Sequence, residues 1–329
     1  MKKILEKLFN QQYLSKEQAH TILGEISEGK YNPFEITAFL SVFKMRNISV
    51  EELTGFRNCL QERCININLE EFDPIDLCGT GGDNKNTFNI STLASFLVAG
   101  AGYKVAKHGN YGVSSTCGSS NVMEYLGYRF TKDQDKLKTQ LDKSGICFLH
   151  APLFHPAMKE VAPIRKDIGV RTFFNMLGPM VNPSFPKRQL VGVFSLQLQR
   201  YYKYIYEQEA ISYRIVHSLD GYDEISLTNS AKVISPEREY LLNPLEVAEN
   251  KLSGNQLKGG RDVRESAEMF VAILKGEGTQ PQNAAVIANA AMAIQCYHKN
   301  QDYATALDIA TQSLQSKAGY QSFKTLLAL

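Results

Sequence analysis

The chain has 329 residues, 43% of them hydrophobic, which suits one large folded domain with a smaller one beside it. Thirty-six Lys and Arg against 34 Asp and Glu leave a net charge of +2, which argues against a protein that coats nucleic acid or binds a membrane surface. No apolar run suits a membrane span or a signal peptide, and the six cysteines form no CxxC pair, so we expect reduced thiols and a cytoplasmic location.

The first 65 residues predict three or four short helices and no strand. Ser15 with Gln18 and Ser49 with Glu52 have capping-box spacing, and Asn32 precedes a proline at a first helical position. The apolar residues of these helices form stripes larger than one small core needs: Ile22, Leu23, Ile26, Phe34, Ile36, Leu40 and Phe43. The stripes either pack against the rest of the chain or form a homodimer interface.

From about residue 72 the pattern becomes strand, glycine turn and helix, repeated. A strand at 75–78, a helix at 90–101 and a strand at 103–106 have the length of a crossover between parallel strands. The pattern continues with helices at 122–126, 137–144 and 201–211, and with strands at 146–149, 190–194 and 213–218. A polar linker at 250–260 and covering helices, one at 283–293, follow. The sequence therefore predicts an α/β protein: a small all-helical N-terminal domain, 1–70, and a large domain, 71–329, with a mostly parallel central sheet flanked by helices.

The first glycine turn, GTGGD at 79–83, lies between a predicted strand and the helix that follows it. Glycines there let backbone N–H groups approach an oxyanion, and the helix N-terminus adds further N–H donors, so phosphate is the expected ligand. The turn lacks the Lys of a Walker A loop and the third glycine of a dinucleotide fingerprint. A tight connection without function is the alternative interpretation.

The next strand runs into KHGNYGVSSTCGSSN at 107–121, which offers Lys107 as a mobile point charge and several serine hydroxyls for an anion. A third strand end carries HSLDGYDEIS at 217–226, where Asp220, Asp223 and Glu224 suit magnesium beside a phosphate. Asp83 would then hold ribose hydroxyls or a metal-bound water. The alternatives are a solvated serine-rich loop and solvated surface acids, but strand ends of one sheet face the same crevice, which favours a shared site.

Several short motifs together resemble the anthranilate phosphoribosyltransferase family of the tryptophan pathway, and the match runs nearly end to end. They are Gly79-Thr80-Gly81-Gly82-Asp83, Asn89-Ile90-Ser91-Thr92, Lys107-His108-Gly109-Asn110, Arg171-Thr172-Phe173-Phe174-Asn175, Leu177-Gly178-Pro179 and Asp223-Glu224. The resemblance implies transfer of 5-phosphoribose from phosphoribosyl pyrophosphate to the amine of anthranilate, with release of pyrophosphate and with Mg²⁺ as cofactor. It also implies a homodimer through the helical domain, to which a segment near 156–183 returns.

The resemblance implies site residues as well, with no covalent or acid–base catalytic residue among them. The phosphoribosyl donor would be bound by Gly79, Gly82, Asp83, Thr87, Asn89, Ile90, Ser91, Thr92, Lys107, His108, Gly109, Asn110, Ser114, Ser115 and Ser119. Anthranilate would be bound by Gly79, Asn110 and Arg165, where a guanidinium suits a benzoate carboxylate. Magnesium would be bound by Ser91, Asp223 and Glu224, directly or through water.

The chain departs from the family pattern at three positions of the second loop. Tyr111 and Thr116 stand where the family usually has basic residues, and Asn121 stands where an acid is common. Weaker donor binding, compensation by Lys85 or Lys104, or a related acceptor would each accommodate the change. The alternatives are a pyrimidine or thymidine phosphorylase, whose lysine–serine–threonine–glycine phosphate motif is absent, and a non-enzymatic nucleic-acid-binding relative, which should carry a basic stripe.

Overall fold

A computed structural model of the chain describes residues 1–112, 117–298 and 302–329. The fold divides into two compact units. The helical unit contains Met1–Asn66 and Ala151–Pro183, and the sheet unit contains Ile67–His150 and Ser184–Leu329. None of the helices in those described ranges is long and apolar enough to cross a membrane.

The helices in chain order are α1 (Lys2–Phe9), α2 (Lys16–Ser27), α3 (Pro33–Met45), α4 (Val50–Glu62), α5 (Ile90–Gly100), α6 (Ser119–Tyr125), α7 (Gln134–Ser144), α8 (Ala151–Phe154), α9 (Val161–Ile168), α10 (Leu196–Tyr206), α11 (Val263–Leu274), α12 (Gln280–Ile294), α13 (Tyr303–Gln315) and α14 (Ala318–Leu327). The strands are β1 (Ile75–Gly79), β2 (Val105–Gly109), β3 (Ile146–His150), β4 (Arg188–Gly192), β5 (Ser212–Ser218), β6 (Ala231–Ile234) and β7 (Glu239–Leu242).

Side-chain caps begin the helices of the helical unit where the sequence predicts them. The Ser15 hydroxyl accepts the backbone N–H of Gln18 at 3.2 Å, and the Ser49 hydroxyl accepts that of Glu52 at 3.1 Å. Between α3, α4 and the returning segment lies an aromatic cluster, in which the rings of Phe56 and Phe173 stack with centroids 4.3 Å apart. The returning segment is thus part of the core of this unit.

Most of the apolar stripe residues of the helical unit are buried. Ile22, Leu23, Ile26, Ile36 and Leu40 are each at most 2% exposed. By contrast, 86% of the Phe34 side chain is exposed. Core packing therefore explains most of the stripe, but it does not explain Phe34.

The sheet of the sheet unit has the strand order β3-β2-β1-β4-β5-β6-β7. The pairs from β3 to β5 are parallel, and β6 and β7 add antiparallel strands at one edge. Helix α5 packs on this sheet beneath α12 and is buried almost all round, as its apolar sequence requires. The predicted fold class, a helical domain with a mostly parallel α/β domain, is confirmed.

Several predicted elements differ from the observed ones. Strands β6 and β7 were not predicted; they flank a turn in which Ser235 N–H donates to the Arg238 carbonyl. Helix α10 begins five residues before the predicted 201–211, because the Ser195 hydroxyl caps it by accepting the Leu198 N–H at 3.2 Å. The predicted linker at 250–260 contains the buried Leu257, whose carbonyl accepts the Phe88 N–H at 3.1 Å, so this stretch supports the loop after β1.

Candidate active site

The GTGGD turn leaves the end of β1 through a pair of left-handed residues. Gly81 and Gly82 have φ values of 62° and 79°, which a residue with a Cβ adopts only with strain. The Thr80 N–H donates to the Gly192 carbonyl of β4 at 2.9 Å, and the Asp83 carboxylate accepts the Lys85 N–H at 3.1 Å. The turn is therefore held at the carboxyl end of the sheet by contacts with β4 and with its own Asp83 side chain.

The acidic pair after β5 lies against this turn and against the start of α5. The Asp223 Oδ2 atom accepts the Gly81 N–H at 2.6 Å, and the Glu224 Oε1 atom accepts the Ser91 N–H at 3.1 Å. The Thr87 hydroxyl donates to the Glu224 carboxylate at 3.5 Å. The fold thus brings together residues more than 130 positions apart, as the sequence predicts for ends of strands in one sheet.

Negative charge is concentrated at this meeting point. Burial raises the pKa of Asp223, and the charge of Asp83 raises it further. Loss of water contact raises the pKa of Glu224 well above its usual value, and the charges of Asp223 and Asp83 add to the effect. Hydrogen bonds from Gly81 and Ser91 favour the charged forms but do not outweigh these effects. A divalent cation would relieve this repulsion.

The donor set fits a magnesium ion that is shared with a substrate. In residues 1–112, 117–298 and 302–329, no group of three or more His, Cys, Asp or Glu side chains could hold a metal alone. Magnesium commonly takes one or two carboxylates and fills its other positions with water and substrate phosphate. Asp223 and Glu224 match that pattern, whereas Asp220 is turned into its own hairpin, where its Oδ2 accepts the Thr228 hydroxyl at 2.6 Å.

Lys107 does not have the position that the sequence suggested. Its side chain is 2% exposed, and its ammonium donates to the Leu77 carbonyl oxygen and to the Ser91 hydroxyl, the latter at 3.3 Å. Burial lowers the pKa of Lys107, and the neighbouring charges of Asp76 and Glu224 act against that effect. The expectation of a mobile point charge is wrong: Lys107 is buried and is fixed by its hydrogen bonds to Leu77 and Ser91.

The start of α5 is also used differently from the prediction. The Ser91 N–H, expected to be available for phosphate, is engaged by Glu224. The Ile90 and Thr92 side chains are at most 1% exposed, so only their backbone groups are available to a ligand. Asn89 contacts the second loop, because its side-chain amide donates to the Cys117 carbonyl at 3.3 Å.

The second loop begins at the end of β2 with His108 buried and Asn110 exposed. The Ser119 hydroxyl lies 3.4 Å from the Asn110 carbonyl, to which it donates, and a Cβ on Gly109 would lie 2.9 Å from that hydroxyl. The start of α6 and the end of β2 are therefore in contact. The predicted donor-binding residues Ser114 and Ser115, and the departure Thr116, lie outside the described residues.

The other two departures from the family pattern, Asn121 and Tyr111, have defined hydrogen-bond partners. The Asn121 side-chain oxygen accepts the N–H groups of Gly112 and Gly118, each at 3.1 Å. The Tyr111 hydroxyl donates to the Glu124 carboxylate at 2.8 Å. Asn121 therefore ties together the two sides of the second loop without adding charge.

Arg165 lies in α9 of the helical unit, where two residues of the RTFFN motif contact it. Its guanidinium donates to the Asn175 side-chain oxygen at 3.3 Å and lies 5.2 Å from the centre of the Phe174 ring. Asn175 also accepts the Thr172 N–H at 3.1 Å. Arg165 is thus oriented by its neighbours, and the remaining N–H groups of a guanidinium suit a carboxylate.

Sequence reasoning missed Asp76, an acidic residue inside the apolar run of β1. Its side chain is completely buried and accepts the His108 N–H at 3.0 Å and the Gln189 side-chain amide at 3.2 Å. A lone aspartate at an interior strand position was the available signal, since charged residues are rarely fully buried unless they are paired.

Comparison with known proteins gives matches over nearly the whole chain. The helical bundle domain of a glycosyl transferase family matches residues 2–64, and the α/β domain of that family matches residues 71–319. The anthranilate phosphoribosyltransferase of Flavobacterium psychrophilum is 57% identical over 329 residues, which are 100% of this chain and 99% of that protein.

Solved structures of similar proteins have the same fold. The crystal structure of anthranilate phosphoribosyltransferase from Thermus thermophilus is 30% identical, with a TM-score of 0.90 over 98% of each chain. The Saccharomyces cerevisiae anthranilate phosphoribosyltransferase, whose structure contains PRPP and Mg, has a TM-score of 0.90 at 24% identity, covering 98% of this chain and 96% of that one.

Proposed function

The chain belongs to the anthranilate phosphoribosyltransferase family, and on that premise we propose that it transfers the 5-phosphoribosyl group of phosphoribosyl pyrophosphate to the amine of anthranilate in tryptophan biosynthesis. The observation that carries the proposal is the contact between the GTGGD turn and the acidic pair, at 2.6 Å between Gly81 and Asp223. At this contact, a glycine turn of the type that binds phosphate lies beside carboxylates that suit a cation.

The donor site that we propose consists of the two glycine-containing loops, the start of α5 and the acidic pair. Asp223 and Glu224, with the Ser91 hydroxyl, would hold Mg²⁺ directly or through water, and the ion would neutralise pyrophosphate as it leaves. Lys107 would add a fixed positive charge on the protein side of the acidic pair. The remaining contacts with the donor are proposed for Gly79, Gly82, Asp83, Thr87, Asn89, Ile90, Thr92, His108, Gly109, Asn110, Ser114, Ser115 and Ser119.

The acceptor would be bound by Arg165, through a charge-assisted pair with the benzoate carboxylate, and by Gly79 and Asn110. In the reaction the bond between the ribose anomeric carbon and pyrophosphate breaks, and the anthranilate nitrogen forms the new bond to that carbon. No side chain is assigned as a nucleophile or as an acid–base catalyst. Catalysis would come from positioning the amine and from stabilising charge as the leaving group departs.

The assay follows anthranilate fluorescence in a mixture of the protein, phosphoribosyl pyrophosphate and MgCl₂. We expect the signal to fall with time, and to be constant when the donor is omitted or when magnesium is removed with EDTA. A constant signal in the complete mixture, together with retained binding to DNA, would instead favour the nucleic-acid-binding relative. Inorganic phosphate with thymidine is the matched test for the phosphorylase.

We further propose a homodimer formed through the helical unit and a cytoplasmic location. Support for the dimer is the exposed Phe34 side chain, 86% accessible on a helix of that unit, together with Met45 at 85%. Light scattering of the wild-type chain and of Phe34→Glu tests it: we expect a dimer that the variant weakens, and a wild-type monomer would contradict it. The six free thiols are compatible with a reducing compartment.

A further inference from the structure

The sheet opens between β1 and β2 near their carboxyl ends. Within the residues that the structure describes, β1 pairs with β2 at one register position, Ile75 with Val105. On its other side, β1 pairs with β4 over all five of its residues, and β2 pairs with β3 over five. The opening therefore lies directly beneath the two loops of the proposed donor site.

Two charged side chains span the opening in opposite directions. From β1, the Asp76 carboxylate accepts the backbone N–H of His108 on β2 at 3.0 Å. From β2, the Lys107 ammonium donates to the backbone carbonyl of Leu77 on β1. Each strand thus satisfies a backbone group of the other with a side chain, where a closed ladder would use backbone alone.

Both side chains are removed from water, so each depends on its hydrogen-bond partners in the protein. Asp76 is 0% exposed and Lys107 is 2% exposed. A buried ionisable group is tolerated only with compensating partners, and each of these side chains has a hydrogen-bond partner on the other strand. Replacing Asp76 would therefore remove the bridge from β1 to the His108 N–H and leave that buried N–H without this acceptor.

Asp76 is itself held from the opposite side. Its second carboxylate oxygen accepts the Gln189 side-chain amide of β4 at 3.2 Å, and the Gln189 side-chain oxygen accepts the Tyr206 hydroxyl of α10. This chain of buried hydrogen bonds leads from α10 through the sheet to the first residues of the KHGN segment.

We propose that Asp76 is a positioning residue for the phosphoribosyl donor, which holds the tip of β2 apart from the tip of β1 so that the KHGN segment and the GTGGD turn can bind one ligand between them. The inference rests on the proposed function for the identity of the donor. Without the carboxylate, the His108 N–H loses its acceptor, and the two strands can pair by their backbones or separate. Either rearrangement moves the loops that follow.

Three variants of the full-length protein test the proposal. Asp76→Leu removes the acceptor and the charge, whereas Asp76→Asn keeps an acceptor for the His108 N–H. The matched control is Gln199→Met. Gln199 is also fully buried, and its side-chain amide donates to two sheet carbonyls, those of Ile215 at 2.9 Å and Lys232 at 2.8 Å. These carbonyls belong to β5 and β6, away from the opening between β1 and β2.

We expect Asp76→Leu to raise the KM for phosphoribosyl pyrophosphate by about 10- to 100-fold, and Asp76→Asn to raise it by less. Gln199→Met should lower the melting temperature while keeping the wild-type KM. Hydrogen–deuterium exchange of the ligand-free protein supplies a readout without activity: the peptide that contains His108 should exchange faster in Asp76→Leu, and less so in Asp76→Asn.

Wild-type KM and wild-type exchange in Asp76→Leu would overturn the proposal, and so would an equal rise of KM in Gln199→Met. If Asp76→Leu does not fold, Asp76→Asn decides by the same two measurements, with unchanged values counting against the proposal. An inactive wild-type protein would instead contradict the proposed function, and the exchange experiment would still report whether Asp76 holds the strands.

Discussion

A methyl group at Gly192 tests whether the end of β4 holds the acidic pair in place. A Cβ built on Gly192 lies 1.5 Å from the Asp223 carbonyl oxygen, whereas ordinary contact begins at 3.4 Å. The Asp223 backbone in Gly192→Ala must therefore retreat by roughly 2 Å, because the obstacle is main chain and not the end of a flexible side chain. The 2.6 Å hydrogen bond from Gly81 to Asp223 cannot survive such a shift.

The size of the effect follows from that lost contact. A hydrogen bond to a charged group contributes about 1.5–3 kcal/mol, so the KM for phosphoribosyl pyrophosphate should rise by about 10- to 150-fold. Overpacking should also lower the free energy of unfolding by about 1–3 kcal/mol. Gly178→Ala is the control, since its Cβ would meet no atom within 4 Å beyond its chain neighbours.

The assay measures initial rates by anthranilate fluorescence, with the donor and magnesium varied separately, alongside thermal unfolding of each variant. We expect Gly178→Ala to match the wild type in both donor KM and magnesium requirement. A folded Gly192→Ala protein with wild-type values for both would refute the reasoning, because the acidic pair would then be shown to work without its observed position.

Three further predictions test the charges. Burial, and then the charge of Asp83, raises the pKa of Asp223, so Asp223→Asn without magnesium should gain about 1 kcal/mol in free energy of unfolding. The variant should need more magnesium for half-maximal rate, and a loss of stability would contradict the prediction. Arg165→Ala should raise the KM for anthranilate by about 10- to 150-fold and the KM for the donor far less. Equal rises in both KM values would contradict the assignment of Arg165 to anthranilate. Burial lowers the pKa of His155 to about 4, so the unfolded chain binds a proton that the folded chain does not, and stability is full above pH 6.5 and falls as the pH drops toward 4. Denaturant titration should therefore show a free energy of unfolding about 3 kcal/mol lower at pH 4 than at pH 7 from this group, and the difference between the two pH values should be correspondingly smaller in His155→Gln.

Local sequence pattern predicted some element boundaries of this protein and missed others. The glycine turn after the first apolar run predicted the end of β1 to within one residue, whereas the second strand, predicted to end at 106, continues to Gly109. Parallel crossovers predicted that Asp223 and Glu224 would lie near the first turn. Helix α10 begins five residues before its predicted start, because the Ser195 hydroxyl caps it. The edge strands β6 and β7 were missed because four-residue strands carry little periodicity of their own.

The protein's sequence alone determined the order of its elements and which residues stand at the strand ends, since turns, caps and periodicity depend on neighbours a few positions apart. Only the tertiary structure decided which charges lose their water. Lys107 is buried and Asp76 bridges two strands because their surroundings come from segments up to 113 residues away. Desolvation and cross-strand contacts are properties of the packed sheet, and no local stretch of residues contains them.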